Sequence, residues 1–211
     1  MRMRKKPNLA ARTEKCAHLL VGTPAAYRGR WLEEFGGETL HVELGCGKGR
    51  FTADTAKADA KTFIAALEKS ADAMIIAMER AAAENLNNIR FINAHAENLT
   101  EYFAEGEASR IYLNFCDPWP SNRHVKRRLT NRIFLEQYMH VLCIGGEIHF
   151  KTDNAPLFEY SLREFESCGF EPVEITHDLH KESPTGVMTD YERKFYDQGV
   201  PICKCIMRRP E

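Results

Sequence analysis

Two short segments of this 211-residue chain bring together residue types that do chemistry. The first is Glu43-Leu44-Gly45-Cys46-Gly47-Lys48-Gly49, an E-x-G-x-G-x-G pattern at the end of an apolar run. Glycines there let the chain turn sharply and let a ligand lie against the backbone. A dinucleotide fingerprint would have its third glycine at position 50, which is Arg50 here, so the G-x-G-x-x-G match fails. No G-x-x-x-x-G-K-[ST] loop is present either. Glu43 repels a pyrophosphate and attracts a cation. S-Adenosylmethionine carries an ammonium and a sulfonium and no phosphate, so Glu43, Gly45 and Gly47 suit it. Glu68, 25 residues beyond Glu43 at the end of a second apolar run, is placed to accept both ribose hydroxyls. The competing explanation is a glycine-rich turn with two incidental surface carboxylates.

The second segment is Asn114-Phe115-Cys116-Asp117-Pro118-Trp119-Pro120, followed by Arg123, His124, Lys126, Arg127 and Arg128. Two prolines fix the backbone and hold Asp117 and Trp119 in place. Trp119 can stack on a flat base, and Asp117 can accept from ring N–H groups or steady a positive charge. The basic run can hold phosphates. A core tryptophan beside a proline turn and a solvated helix start are the plainer explanations. Cations at a helix N-terminus without anionic partners are disfavoured, which weakens the second.

Both segments need a scaffold that brings them to one edge. Apolar runs at 39–44, 62–67, 89–93, 110–115 and 147–151 read as strands. Stretches ending near 57, and at 70–86, 129–142 and 157–168, read as helices, with Gly145-Gly146 closing the third and Gly169 the fourth. Residues 170–177 and 201–207 read as two final strands, antiparallel, with a short helix near 191–197 between them. Strands alternating with helices predict βαβ units and a doubly wound, Rossmann-like α/β sheet, mostly parallel with an antiparallel C-terminal strand. Ligands bind such sheets at the carboxyl ends of the strands, near the switch in strand order. Residues 39–211 read as one domain, preceded by a basic extension, residues 1–38, with one or two helical turns.

A formal net charge of −1 argues at first sight against a polyanionic partner, but the charges are segregated. Residues 1–30 hold eight basic residues against Glu14 alone, and residues 120–132 hold five with no acid. The other 168 residues carry a net −13. An acidic body with two basic patches leaves nucleic acid open as a partner. Seven cysteines with no C-x-x-C, the closest pair being Cys203 and Cys205, fit a reducing cytoplasm rather than a disulfide framework. No cysteine or histidine spacing suggests a metal. No apolar run approaches the ~18–20 residues that span a bilayer, and no secretory signal follows the basic start. Monomer and homodimer are both compatible with these features.

The chain resembles the bacterial tRNA (guanine-N7)-methyltransferases, a class I S-adenosylmethionine-dependent family. The resemblance runs from Met1-Arg2-Met3-Arg4 through the glycine loop and Tyr112-Leu113-Asn114-Phe115-Cys116-Asp117-Pro118-Trp119-Pro120. It continues through Arg123-His124, Lys126-Arg127-Arg128-Leu129-Thr130, His149-Phe150-Lys151-Thr152-Asp153-Asn154 and Thr189-Asp190-Tyr191-Glu192. It implies methylation of a variable-loop guanine of tRNA at N7. It also implies cofactor contacts from Glu43, Gly45, Gly47, Glu68, His95 and Asp117, with Asp117 assigned to catalysis. Trp119, Arg123, Asp153, Thr189, Tyr191 and Glu192 take the substrate positions, and Arg123, His124, Lys126, Arg127 and Arg128 the RNA-facing ones. Two positions depart from the family pattern: His95 replaces an acidic residue or Asn, and Ser121 replaces a Lys.

Residue patterns alone offer simpler accounts of some of these. Asp153, ahead of Pro156, can cap the following helix, and Thr189-x-x-Glu192 is a capping-box pattern. Three rival functions remain on the sequence. An NAD-dependent oxidoreductase is opposed by Arg50, and a non-enzymatic RNA-binding module leaves the acidic glycine loop unexplained. A methyltransferase acting on another RNA, a protein or a small molecule keeps the fold and cofactor.

Overall fold

The computed structural model describes residues 5–211. The Met1-Arg2-Met3-Arg4 opening, with two of the N-terminal basic residues, lies outside the described residues. In chain order the elements are α1 (Leu9–Lys15), α2 (Trp31–Phe35), β1 (Thr39–Leu44), α3 (Arg50–Ala58), β2 (Thr62–Leu67), α4 (Ala71–Ala83), β3 (Ile89–Ile92), α5 (Leu99–Tyr102), β4 (Ala108–Asn114), α6 (Arg132–Val141), β5 (Leu142–Thr152), α7 (Ala155–Ser167), β6 (Glu171–Thr176), α8 (Asp190–Asp197) and β7 (Cys203–Arg208). Seven strands form one sheet in the order β3-β2-β1-β4-β5-β7-β6. The first five pair in parallel, while β7 runs antiparallel to both β5 and β6. This is the doubly wound sheet expected from the alternation of patterns.

β1 and β2 are buried almost throughout, as strands covered on both faces must be. Phe63, Ala65 and Leu67 join one core with Val42, Leu135 and Phe158; Ile64 and Ala66 join another with Met74, Met78 and Phe91. The period of two along β2 thus divides its side chains between two helical layers. β1 lies between β2 and β4, so strand order switches there and a crevice opens beyond their carboxyl ends.

Two element boundaries differ from the sequence expectation. α6 ends at Val141 and the chain passes directly into β5, so Gly145-Gly146 lie inside a strand rather than closing a helix. Ala108 pairs with Leu142 and Arg110 with Glu147, so β5 bulges between these partners. Gly145 takes φ +76° there, and a Cβ on Gly146 would stand 2.9 Å from the Cys143 carbonyl oxygen. Gly145 N–H donates to the Arg209 carbonyl and Arg209 N–H to that of Gly146, at 3.0 and 2.8 Å. Glycine marks a bulge here instead of a helix end. At the other end α6 starts at Arg132, capped by Asn131, and the basic run forms a separate 3-10 segment, Asn122–Arg127.

Residues 9–35 pack onto the sheet. Leu19 and Trp31 are fully buried, Leu20 forms a parallel bridge with Phe91, and the Trp31 indole N–H donates to the Tyr102 carbonyl at 2.9 Å. Arg12 binds both Glu79 oxygens at 2.7 Å, and Lys6 N–H donates to Asp72 at 2.6 Å, so the described start of the chain runs along α4.

Candidate active site

The glycine loop follows β1 directly. Gly45, Gly47 and Gly49 take φ of +80°, +58° and +71°, which L-residues with a Cβ adopt only at a cost. A Cβ on Gly49 would lie 2.4 Å from the Ala77 Cβ. The third glycine therefore lets the start of α3 press against α4. Nothing stands within 4 Å of a Cβ built at Gly45 or Gly47, so the loop leaves open space for a ligand.

Two carboxylates border this loop. Glu68, at the end of β2, accepts from Gly47 N–H at 3.0 Å and Ser70 N–H at 2.8 Å, one bond to each oxygen. Each oxygen keeps a lone pair for a further donor, such as a ribose diol. Glu43 is almost wholly buried. Its Oε2 accepts from the Thr52 hydroxyl at 2.5 Å and its Oε1 from the Asn114 amide at 3.4 Å. Acidic groups beside open glycine backbone, with no cation bound to Glu43, suit a cationic ligand that carries a diol. This donor set fits S-adenosylmethionine.

Burial pushes the Glu43 carboxyl up to about 7, against the lowering effect of the Thr52 and Asn114 hydrogen bonds. A carboxyl raised above its usual value of 4.5 holds its proton more tightly in the folded chain than in the unfolded one. Its contribution to stability is therefore complete below about 4.5 and disappears as the pH rises through about 7. A cationic ligand selects the ionised form. Affinity for S-adenosylmethionine accordingly rises about tenfold between about pH 6 and 8, and Glu43→Gln flattens the profile. Isothermal titration across this range checks the expectation; a flat wild-type profile contradicts it.

The second segment leaves β4 at the other side of the crevice. Phe115 and Trp119 occupy the left-handed region at φ +52° and +40°, a conformation held by contacts around it. Phe115 N–H donates to the Lys151 carbonyl at 2.9 Å. The Arg128 guanidinium donates to the carbonyls of Pro118 and Trp119 at 3.0 Å each and lies 4.3 Å from the centre of the Tyr160 ring. Arg128, one of the residues expected to face RNA, thus spends its Nε and one Nη on this loop. Arg127 lies over Trp119 at 4.9 Å, and His124 meets the same indole edge-on at 5.7 Å. The side chains of Arg123 and Lys126 are exposed and have no hydrogen bond or ion pair among the described residues. Asp117 is exposed and reaches back to Lys69, beyond β2, at 3.4 Å. The half-buried Cys116 thiol is pushed up to about 12 by desolvation and supplies no thiolate.

α8 closes the same edge. The Thr189 hydroxyl accepts from Glu192 N–H at 2.9 Å, and the Glu192 carboxylate accepts from Thr189 N–H at 3.2 Å. The capping box read from the sequence is therefore formed. Asp190 reaches Arg50 of α3 at 3.4 Å and Arg80 of α4 at 3.9 Å. Tyr191 stacks on Phe115 and Phe195, with centroids 6.5 and 6.2 Å apart. Tyr191 stays 56% exposed, so it presents a ring beside the Asp117 loop.

Glu192, expected among the substrate contacts, is buried in the fold. Its carboxylate has no exposed surface and accepts from Lys151 Nζ at 3.0 and 3.1 Å and from His180 at 2.9 Å. It anchors α8 to β5. Asp153 is exposed just past β5, and Asn154, not Asp153, caps α7 through a 2.8 Å bond from Leu157 N–H. His95 is exposed beyond β3, the neighbour of the strand carrying Glu68. Sequence reading missed Asn114 and Lys151 as partners of Glu43 and Glu192. Their signal was position alone, since both are polar residues at the carboxyl ends of strands. Among the described residues no group of three or more His, Cys, Asp or Glu is placed to hold a metal. No helix among them is long and apolar enough to cross a membrane.

Comparison with known proteins matches residues 37–205 to a family described as "Putative methyltransferase". Among solved structures, an antibiotic-related methyltransferase is 19% identical, with TM-score 0.64, 85% of this chain and 92% of that chain covered. The 16S rRNA methyltransferase KamB is 15% identical, with TM-score 0.65 and coverages of 83% and 89%. Haemonchus contortus phosphoethanolamine N-methyltransferase 2, in complex with S-adenosyl-L-methionine, is 12% identical, with TM-score 0.54 and coverages of 85% and 51%. At these identities the likeness is one of fold.

Proposed function

Because the chain belongs to that methyltransferase family, its chemistry is methyl transfer with S-adenosylmethionine as cofactor, and we propose that the acceptor is N7 of a variable-loop guanine in tRNA. We place the catalytic domain at residues 39–211, with residues 1–38 as a basic extension that helps hold the RNA. One observation carries this reading. Two exposed cations with no partner among the described residues, Arg123 and Lys126, stand immediately beyond the loop that presents Asp117 and Trp119. On the far side, the Lys6 backbone N–H meets Asp72 in the first turn of α4.

When bound, S-adenosylmethionine supplies a methyl group already activated on a sulfonium. Guanine N7 already carries a lone pair, so the protein has no strong base to provide. Its residues orient the acceptor and balance charge, and orientation alone can supply ~7–11 kcal/mol of a barrier. In this account Glu43 and Glu68 hold the cofactor. Trp119 and Tyr191 are the flat surfaces at the base. Asp117 positions the guanine and stabilises the positive charge that arrives on it. Asp153 fixes the base edge. A base that stacks on the Trp119 face covered by Arg127 displaces that guanidinium and frees it for a phosphate.

Transfer of labelled methyl from S-adenosylmethionine to unmodified tRNA, beside 16S rRNA as a competitor, tests the acceptor class. Preference for rRNA would reject the tRNA assignment. Binding must also be salt-dependent, because displaced counterions dominate its free energy. Arg123→Ala with Lys126→Ala is expected to weaken tRNA binding and reduce the slope of log K against log [salt] by about 2, roughly one for each lost phosphate contact. Cofactor affinity stays unchanged. An unaltered slope would remove these two residues from the RNA interface.

A further inference from the structure

Asn114 is a buried polar residue at the crevice to which the account above gives no ligand. It ends β4, one residue beyond the Leu44–Leu113 pair, and so stands across from Gly45 at the switch between β1 and β4. Its other neighbour is Lys151 of β5. The residue is only 9% exposed. Its amide nitrogen donates to Glu43 Oε1 at 3.4 Å, while the amide oxygen is buried with no hydrogen-bond partner among the described residues. Turning the amide over would set that oxygen against the Glu43 carboxylate, so ionised Glu43 fixes the nitrogen inward and leaves the oxygen as the free acceptor. Lys151 does not serve it, because its Nζ is spent on Val187 O and on both Glu192 oxygens. A buried acceptor left in this state is free to take a donor from a ligand.

We infer that Asn114 is a cofactor-binding residue whose side-chain oxygen accepts a hydrogen bond from the ammonium group of S-adenosylmethionine, with Glu43 beside it as counter-charge. The inference rests on the cofactor reading given above. Glu68 at the end of β2 takes the ribose hydroxyls, so the amino-acid portion extends toward β1 and β4, where Glu43 and Asn114 stand. An ammonium brings three donors and one positive charge. The pair offers it an unused neutral acceptor and a carboxylate whose Oε1 has only one long hydrogen bond.

Three ligands separate the contacts. S-Adenosylmethionine has both ammonium and sulfonium, S-adenosylhomocysteine has the ammonium alone, and 5′-methylthioadenosine has neither. Calorimetric titration of Asn114→Ala should show the first two weakened by about tenfold, the usual scale for one hydrogen bond to a charged group. Methylthioadenosine should bind within about twofold of wild type, which also certifies the folded pocket. Equal weakening of all three, no weakening of any, or weakening of S-adenosylmethionine alone would overturn the assignment. If Asn114→Ala does not fold, Asn114→Asp keeps the volume and an acceptor on both branches. It should bind S-adenosylhomocysteine at least as well as wild type at pH 8, and weaker binding with methylthioadenosine unchanged overturns the inference. Wild-type protein that binds neither S-adenosylmethionine nor S-adenosylhomocysteine would reject the cofactor reading and this inference together. Normal wild-type binding with an unaffected Asn114→Ala would reject this inference alone.

Discussion

Asp117→Ala slows methyl transfer in a single turnover by about 100-fold or more while leaving the thermal midpoint of the protein unchanged, on the scale set by removing one charge-stabilising group from an active site. The asymmetry follows from where the residue sits. Asp117 is exposed, and its Lys69 partner is 3.4 Å away and also exposed, so the folded state gains little from the pair. The loop around it does not depend on the side chain. Pro118 and Pro120 limit the backbone, Arg128 grips the carbonyls of Pro118 and Trp119, and Phe115 N–H is tied to β5. The cost should therefore appear when a base covers the site, excludes water and gains positive charge. Asp117→Asn keeps the shape and removes the charge, so it should resemble Asp117→Ala in rate if charge is what matters. Chemistry near the wild-type rate at saturating tRNA and cofactor would sink the catalytic assignment.

Lys151→Met carries the largest expected effect on stability. Lys151 is buried and its ammonium is pushed below its usual range by desolvation, a shift that Glu192 opposes. Glu192 has no exposed surface at all. Removing the cation leaves that carboxylate buried with His180 and the Thr189 N–H as partners. Breaking one side of a buried pair typically costs about 3–5 kcal/mol, and replacing both sides with apolar groups recovers much of the loss. Urea unfolding should show a drop of this order for Lys151→Met and a smaller one for Lys151→Met combined with Glu192→Leu. A single variant within about 1 kcal/mol of wild type, or a double variant no better than the single, contradicts the anchoring role. The same variants bear on Glu192 itself. Its side chain holds the start of α8, and thereby Tyr191.

The sequence was most informative where one residue type has one physical use. The shift of the third glycine to position 49 excluded a dinucleotide loop, and the structure shows the use of that glycine in the contact of α3 with α4. Asp117-Pro118-Trp119-Pro120 lies at the strand end where an acceptor loop belongs. Apolar runs located β1 and β2, because burial on both faces leaves continuous apolar stretches. Residues with several possible uses were less legible. Gly145-Gly146 suits a helix end as well as a bulge, and only pairing with Arg209 decides between them. Arg128 looks like any other cation in a basic run until the carbonyls it binds are seen. Glu192 does two jobs in three dimensions, capping α8 and neutralising Lys151, of which local spacing reveals only the first. Trp31 lies in a stretch with little periodicity, yet its ring sits in the core among Tyr27, Phe35, Phe63 and Phe103.

The central claim is a site of modification, so the most direct measurement is to find the methyl group. Unmodified tRNA is incubated with the protein and labelled S-adenosylmethionine, then reduced with borohydride and treated with aniline, which cuts the chain at N7-methylguanosine. The expected result is label in the tRNA and one new cut, at a guanine in the variable loop. Label without an aniline-sensitive cut, a cut at a guanine elsewhere, or no label at all would contradict it.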